Sequence, residues 1–193
     1  MPGNSMERQQ FSRYRFVIAS LAILLAFSQG LHMFVVGPIA PLIANDFQIA
    51  NRTVGLLTSV IFFDQFLFAI PASVIVGRLG PKFVLGLGAC LGSTPLLIFL
   101  AADNYYLLLG IRACFGMGLV LIFPALGPLY MQWFRANELP LVMGSFIIAI
   151  VLGITASTYI VVPLSEKLGW EVALSGLGFV SLSGALAWIL FGK

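Results

Sequence analysis

Long apolar runs alternate with short polar breaks along almost the whole chain. The runs cover about 16–44, 54–77, 83–102, 105–134, 139–165 and 172–192. A helix that crosses a bilayer core of ~30 Å needs about 20 mainly apolar residues. All six runs meet that length, so the pattern predicts an all-α integral membrane protein with six transmembrane helices. The first, fourth and fifth exceed the minimum and are expected to tilt or bend. The breaks are short and none is of low complexity, which predicts one compact bundle over 16–193 behind a polar tail, 1–15. The first run is too long for the core of a signal peptide and reads as a retained span.

Two stretches of the chain echo each other. Pro41–Phe47 (PLIANDF) returns 87 residues later as Pro128–Phe134 (PLYMQWF), and Arg78–Leu85 (RLGPKFVL) returns 89 residues later as Lys167–Leu174 (KLGWEVAL). Both echoes fall at the ends of apolar runs. Three spans in each copy would make the copies opposite in orientation, because an odd number of crossings flips the second. The expected architecture is two inverted three-helix repeats, about 16–102 and 105–192, an arrangement common in secondary transporters.

Composition agrees with the pattern. Hydrophobic residues make up 60% of the chain and charged residues 9%. A soluble domain carries about 25% charged residues and needs them to cover its surface. The lipid bilayer is therefore the expected solvent. The net charge of +3 does not point to nucleic acid, because the basic residues are scattered among the span ends. Their distribution orients the bundle. One side would hold Arg8, Arg13, Arg15, Arg78, Lys82, Arg135 and Lys193, and the other only Arg52 and Lys167. Seven against two places both termini in the cytoplasm, with the protein in a plasma or inner membrane.

Proline is frequent inside the runs: Pro38 and Pro41, Pro71, Pro95, Pro124 and Pro128, and Pro163. Each removes a backbone donor and tends to kink a helix. Shaping of a packed bundle explains most of them, and bends that close a cavity are the functional alternative. Gly88, Gly92, Gly116 and Gly118 would let helices approach closely. Cys90 and Cys114 fall within apolar runs and read as small packing residues. One histidine and no cluster of Cys, His, Asp or Glu leave no metal or cofactor site apparent.

Three ionisable side chains are stranded inside the runs: His32, Asp64 and Arg112. A charge at the bilayer centre costs at least ~2.5–3.5 kcal/mol, so these groups should face the bundle interior or a wet cavity. At ~1.5 Å per residue they lie roughly 20, 16 and 14 Å from the outer ends of their runs, near a common depth. Arg112 reads either as a structural ion pair or carbonyl contact, or as the cation that receives an anionic substrate group. His32 reads as a proton carrier or as a satisfied interior histidine. Asp64 reads as the site of a coupling proton or as the neutralising partner of Arg112 or His32. Gln29, one helical turn before His32, reads as a substrate ligand or a packing residue.

These residues bring out a resemblance. Ser73-Val-Ile-Val-Gly77-Arg78-Leu-Gly80-Pro-Lys82 resembles the cytoplasmic loop motif, Gly-x-Leu-x-Asp-Arg-x-Gly-Arg-Lys, of major facilitator superfamily permeases, with Arg78, Gly80 and Lys82 matching. Ser73 stands where the family has glycine, and Gly77 where it has an acid that helps latch the two halves. Arg112-x-x-x-Gly116-x-Gly118 followed by Pro124 is similar to the family's fourth span, whose arginine often lines the central cavity. Gly169-Trp170 resembles the entry into its sixth span. Leu152–Ser157 does not match the family's antiporter signature, so uptake or exchange of a small solute is expected over drug–proton antiport.

The resemblance covers about 14–192 and implies the N-terminal six-helix half of a permease. It implies alternating access, a small-molecule substrate with an anion as candidate, and protons as candidate coupling ions. Since the family fold has two such halves, it also implies a second half or a homodimer mate, and an incomplete gene product is the favoured account. No catalytic residue is expected. An intramembrane serine protease would need an activated hydroxyl and a base, and no Gly-x-Ser-x-Gly stretch accompanies the single histidine. A channel and a non-transporting membrane scaffold are the other readings.

Overall fold

The computed structural model describes residues 14–192, so most of the polar tail lies outside the described residues. Among the described residues every regular element is helical. Six helical stretches are long and apolar enough to cross a membrane: Tyr14–Met33, Asn51–Leu79, Pro81–Ala101, Tyr105–Trp133, Leu139–Leu168 and Trp170–Phe191. The chain is therefore a multi-pass integral membrane protein in contact with lipid, as its apolar runs predict.

Two runs expected as single spans are broken. The first divides into α1 (Tyr14–Met33) and α2 (Val36–Asp46). Pro38 explains the break, since a proline ring collides with the carbonyl four residues earlier, which is that of Phe34. The Phe34 carbonyl instead accepts the N–H of Gly37 at 3.1 Å, one residue short of helical register. After α3 (Asn51–Leu79), the third run divides into α4 (Pro81–Leu91) and a 3₁₀ stretch, Thr94–Ala101. Here Pro95 stands four residues after Leu91, the last residue of α4. The Leu91 carbonyl accepts the Thr94 hydroxyl at 2.7 Å. In contrast, α3, α5 (Tyr105–Trp133) and α6 (Leu139–Leu168) continue through Pro71, Pro124 and Pro128, and Pro163. A glycine beside the proline does not decide the outcome, since α5 runs on through Gly127-Pro128 while the first run breaks at Gly37-Pro38.

The short connections have their own causes. Asn104 caps α5 by accepting the Leu107 N–H at 3.1 Å. Gly80 joins α3 to α4 at φ 83° and ψ 152°, and Gly169 joins α6 to α7 (Trp170–Phe191) at φ 89° and ψ 152°. Each donates its N–H to the carbonyl four residues back, Val76 or Ser165, at 3.0 Å. Only glycine takes that positive φ without strain. These are the two corners that the second sequence echo marks.

Helix pairing is dominated by α1 with α6 and by α3 with α5. Glycine sets both distances. A Cβ on Gly30 would strike the backbone carbonyl of Ile150, and one on Gly153 that of Phe27. A Cβ on Gly116 would meet Asp64 and the Cα of Ile61. Between α4 and α5, a Cβ on Gly88 would stand 2.8 Å from the Gly118 carbonyl oxygen. The interior divides into two main apolar clusters. One includes Ile18, Leu25, Val84, Tyr130 and Trp188, and the other Ile39, Ile43, Leu57, Leu108 and Trp170. The outer surface is also apolar: Phe66, Ile70, Phe179 and Leu190 are exposed, as expected where lipid replaces water. Cys90 and Cys114 are unpaired and exposed. They do not pack in the interior, because a membrane helix is apolar on its lipid side as well as its core side.

At the end of the bundle that carries the start of α1, Arg15 makes a two-point contact with Glu138, its Nη1 lying 2.9 and 3.1 Å from the carboxylate oxygens. The Glu138 carboxyl is held below the usual range, first by the Arg135 backbone N–H and also by Arg15. A carboxyl depressed in this way stabilises the fold above its ordinary range and stops doing so as pH falls through its folded value. Solvent screening keeps this tether weak.

Backbone contact at the α1–α6 crossing has a measurable consequence. Gly30→Ala and Gly153→Ala should each cost about 1–3 kcal/mol through overpacking, while Gly144→Ala, on α6 with open space around it, should be nearly neutral. Thermal unfolding of purified protein in detergent measures the difference, and equal midpoints for all three variants would contradict the packing described.

Candidate functional site

A polar layer separates the two apolar clusters. It contains the buried Ser28, Gln29, His32, Arg112, Ser157 and Ser181, with Asp64 only 6% exposed at its edge. The four candidate side chains come from three helices, α1, α3 and α5.

Arg112 is wholly buried on α5. Its Nη1 donates to the backbone carbonyl of His32 at 2.7 Å. His32 is the penultimate residue of α1, where the break at Phe34 and Val35 deprives the last carbonyls of helical partners. A cation at a helix C-terminus is also favoured by the helix dipole. Arg112 therefore serves as the cap that α1 lacks within the membrane. This bond uses one nitrogen; Nε and Nη2 are buried without hydrogen-bond partners among the described residues.

The His32 ring packs edge-on against Phe115, with centroids 5.8 Å apart, and neither ring nitrogen has a hydrogen-bond partner among the described residues. Asp64 approaches α5 one turn beyond Arg112, where its carboxylate occupies the space that a side chain on Gly116 would need. Its Oδ2 is likewise unpartnered. Among the described residues the ion pair present is Arg15–Glu138. Direct neutralisation of Arg112 or His32 by Asp64 is thus not realised; the guanidinium has found a carbonyl instead. Gln29 lies one turn before His32, with its amide against Gly92 at the end of α4, and neither amide atom has a hydrogen-bond partner among the described residues. An unbonded buried polar atom is expensive, so four such side chains in one layer mark a place where a further polar group can be received.

Sequence reasoning passed over several members of this layer. Ser181 donates to the Ser28 carbonyl at 3.2 Å. Thr94 reaches the Ile111 carbonyl at 3.3 Å, tying the broken third span to α5. Gln65, beside Asp64, lines a cavity of about 290 Å³ with Val120 and Phe123, its Nε2 unbonded. An acid followed by an amide within an apolar run was the available signal. Single serines in such runs carry none, since they bond back to their own helix, as Ser28 does to the Leu25 carbonyl.

The loop motif lies apart from this layer, beside the cluster containing Val76, Val84 and Trp188. Ser73 bonds back to the Ile70 carbonyl at 2.7 Å, and Gly77 borders open space on α3. Gly80 makes the corner, with Arg78 in the last turn of α3 and Lys82 in the first turn of α4. The described residues contain no group of three or more potential metal ligands.

A protein of Campylobacter jejuni, carrying the name uncharacterized protein Cj0987c, is 27% identical over 159 residues, covering 81% of this chain and 49% of that protein. The chain thus spans about half the length of the curated relative it matches. The sequence model of the Major Facilitator Superfamily matches residues 22–193, which takes in the first transmembrane helix from Ala22 on, the other five in full and the whole polar layer, and the chain belongs to that family of membrane transporters.

Proposed function

We propose that this chain forms the N-terminal half of a secondary transporter that moves a small anionic solute by alternating access. The observation that carries the reading is Arg112: a wholly buried guanidinium within a transmembrane helix, held by one backbone carbonyl, with two nitrogens lacking hydrogen-bond partners among the described residues. A substrate carboxylate or phosphate would supply the missing acceptors, and charge-assisted bonds of this kind are the strong ones. Asp64 and His32 stand beside the same helix without partners and are the candidates to carry a coupling proton; Gln29 offers a neutral donor and acceptor. A second six-helix half, from a longer product or a homodimer mate, would close the pathway from the other side.

The inverted repeat belongs to this reading. Superposing the first three spans on the last three exchanges span 1 with 4, 2 with 5, and 3 with 6. That exchange carries the α1–α6 pairing into the α5–α3 pairing, the two most extensive in the bundle. It also carries the Gly80 corner into the Gly169 corner, and their backbone angles agree within a few degrees. Opposite orientations for the copies explain why one corner carries Arg78 and Lys82 while the other carries Glu166, Lys167 and Glu171. The positive-inside rule then puts the Gly80 corner and both termini in the cytoplasm.

In vesicles holding the intact transporter, Arg112→Ala should reduce solute uptake at least tenfold, with Arg112→Lys recovering little because it cannot reproduce a forked donor. Asp64→Asn should abolish any dependence of uptake on a proton gradient, with the protein still inserted at normal levels. Uptake at the unaltered rate in both Arg112→Ala and Asp64→Asn would overturn the assignment. In a background with Cys90 and Cys114 replaced by serine, a cysteine placed at position 81 should react with a membrane-impermeant thiol reagent only from the cytoplasmic side, and one at the exposed position 167 only from the opposite side; the reverse labelling would overturn the orientation.

A further inference from the structure

On the side of the bundle formed by α4 and α7, a groove of about 480 Å³ runs from Lys82 along Phe83, Gly86 and Cys90, with Trp188 and Ile189 opposite. Its geometry is fixed from below. Trp188 is 2% exposed, and its indole N–H donates to the Lys82 backbone carbonyl at 3.3 Å. Gly86 leaves the space over the indole open; a Cβ there would only touch Trp188 Cδ1 at 3.6 Å. The walls are apolar except at one end. There Lys82 is exposed and makes no ion pair among the described residues. It also stands in the first turn of α4, where the helix dipole favours an acid over a cation. Its ammonium therefore has no ion-pair partner among the described residues, and it sits at the polar end of an apolar groove between two membrane helices.

We propose that this groove binds one anionic phospholipid, with an acyl chain along Gly86 and Cys90 over the Trp188 ring and the phosphate at Lys82. The occupant follows from its surroundings. The groove belongs to a pair of transmembrane helices, so lipid is the medium that reaches it. Its single charged group is a cation at one end of an apolar channel, the pattern of a phospholipid with the sign of its headgroup reversed. A basic residue at an anionic surface contributes on the order of 1 kcal/mol of attraction, and the fixed indole and the glycine gap add a shaped seat for the chain. The site is independent of the transport assignment, since none of its residues belongs to the polar layer.

Native mass spectrometry of the detergent-solubilised protein tests this, with phosphatidylglycerol and phosphatidylcholine of identical acyl chains as probes. The native protein should retain phosphatidylglycerol about fivefold better than phosphatidylcholine, the scale expected for one basic residue. Lys82→Gln should erase the preference. Gly86→Leu, which fills the groove, should lower retention of both lipids, and Gly86→Ala should retain both. Gel filtration of each variant verifies that it is folded. In a Cys114→Ser background, added phosphatidylglycerol should slow maleimide labelling of Cys90 severalfold. Equal retention of the two lipids by the native protein, an undiminished preference in Lys82→Gln, or labelling of Cys90 insensitive to phosphatidylglycerol would each overturn the proposal.

Discussion

The guanidinium of Arg112 donates to the carbonyl of His32, and the break in the first span makes that carbonyl available. Each partner would be costly alone. A buried charge needs compensation, and a helix end inside a bilayer has no water to satisfy its carbonyls. Together they stabilise each other and join α5 to the point where α1 gives way to α2. The same contact leaves two guanidinium nitrogens without hydrogen-bond partners among the described residues, and the proposal that Arg112 receives an anion rests on them.

Around this point the bundle is arranged by what the bilayer does and does not supply. Lipid is as apolar as the core, so burial of hydrophobic surface does not drive helices together; close packing and backbone approach do. The glycines at 30, 153, 88 and 118 stand where another helix's backbone lies against them. Polar groups gather in one layer between two apolar clusters, with hydroxyls bonded back to helical carbonyls. Among the described residues of that layer, Gln29, His32, Asp64, Gln65 and Arg112 retain buried side-chain atoms without hydrogen-bond partners. These side chains distinguish a receptive site from a merely polar one.

The chain's organisation was largely legible before any coordinates. Six spans, the Gly80 corner, the burial of His32, Asp64 and Arg112, and the close-packing role of Gly116 and Gly118 all follow from residue pattern. The breaks in spans one and three were less so. Of the seven prolines named inside the apolar runs, only Pro38 and Pro95 stand at a break among the described residues, and at each a donor takes the carbonyl that the proline orphans. Thr94 supplies that donor in the third span, and Gly37 and Arg112 supply donors in the first. The lipid exposure of Cys90 and Cys114 was equally hidden, since a helix that is apolar on all sides gives no periodic cue to its inner face.

What the sequence by itself determined is the solvent of this protein, the number and order of its crossings, and the short set of groups able to do chemistry within them. Those properties depend on length, hydropathy and charge count, which are additive along a chain. Only the tertiary structure decided that Arg112 would bind a carbonyl rather than Asp64, that Gln29 would meet Gly92, and that Lys82 would head a groove floored by Trp188. Each of these is a meeting of residues distant in the chain, set by helix rotation and by glycine gaps at crossings, and no local pattern encodes it.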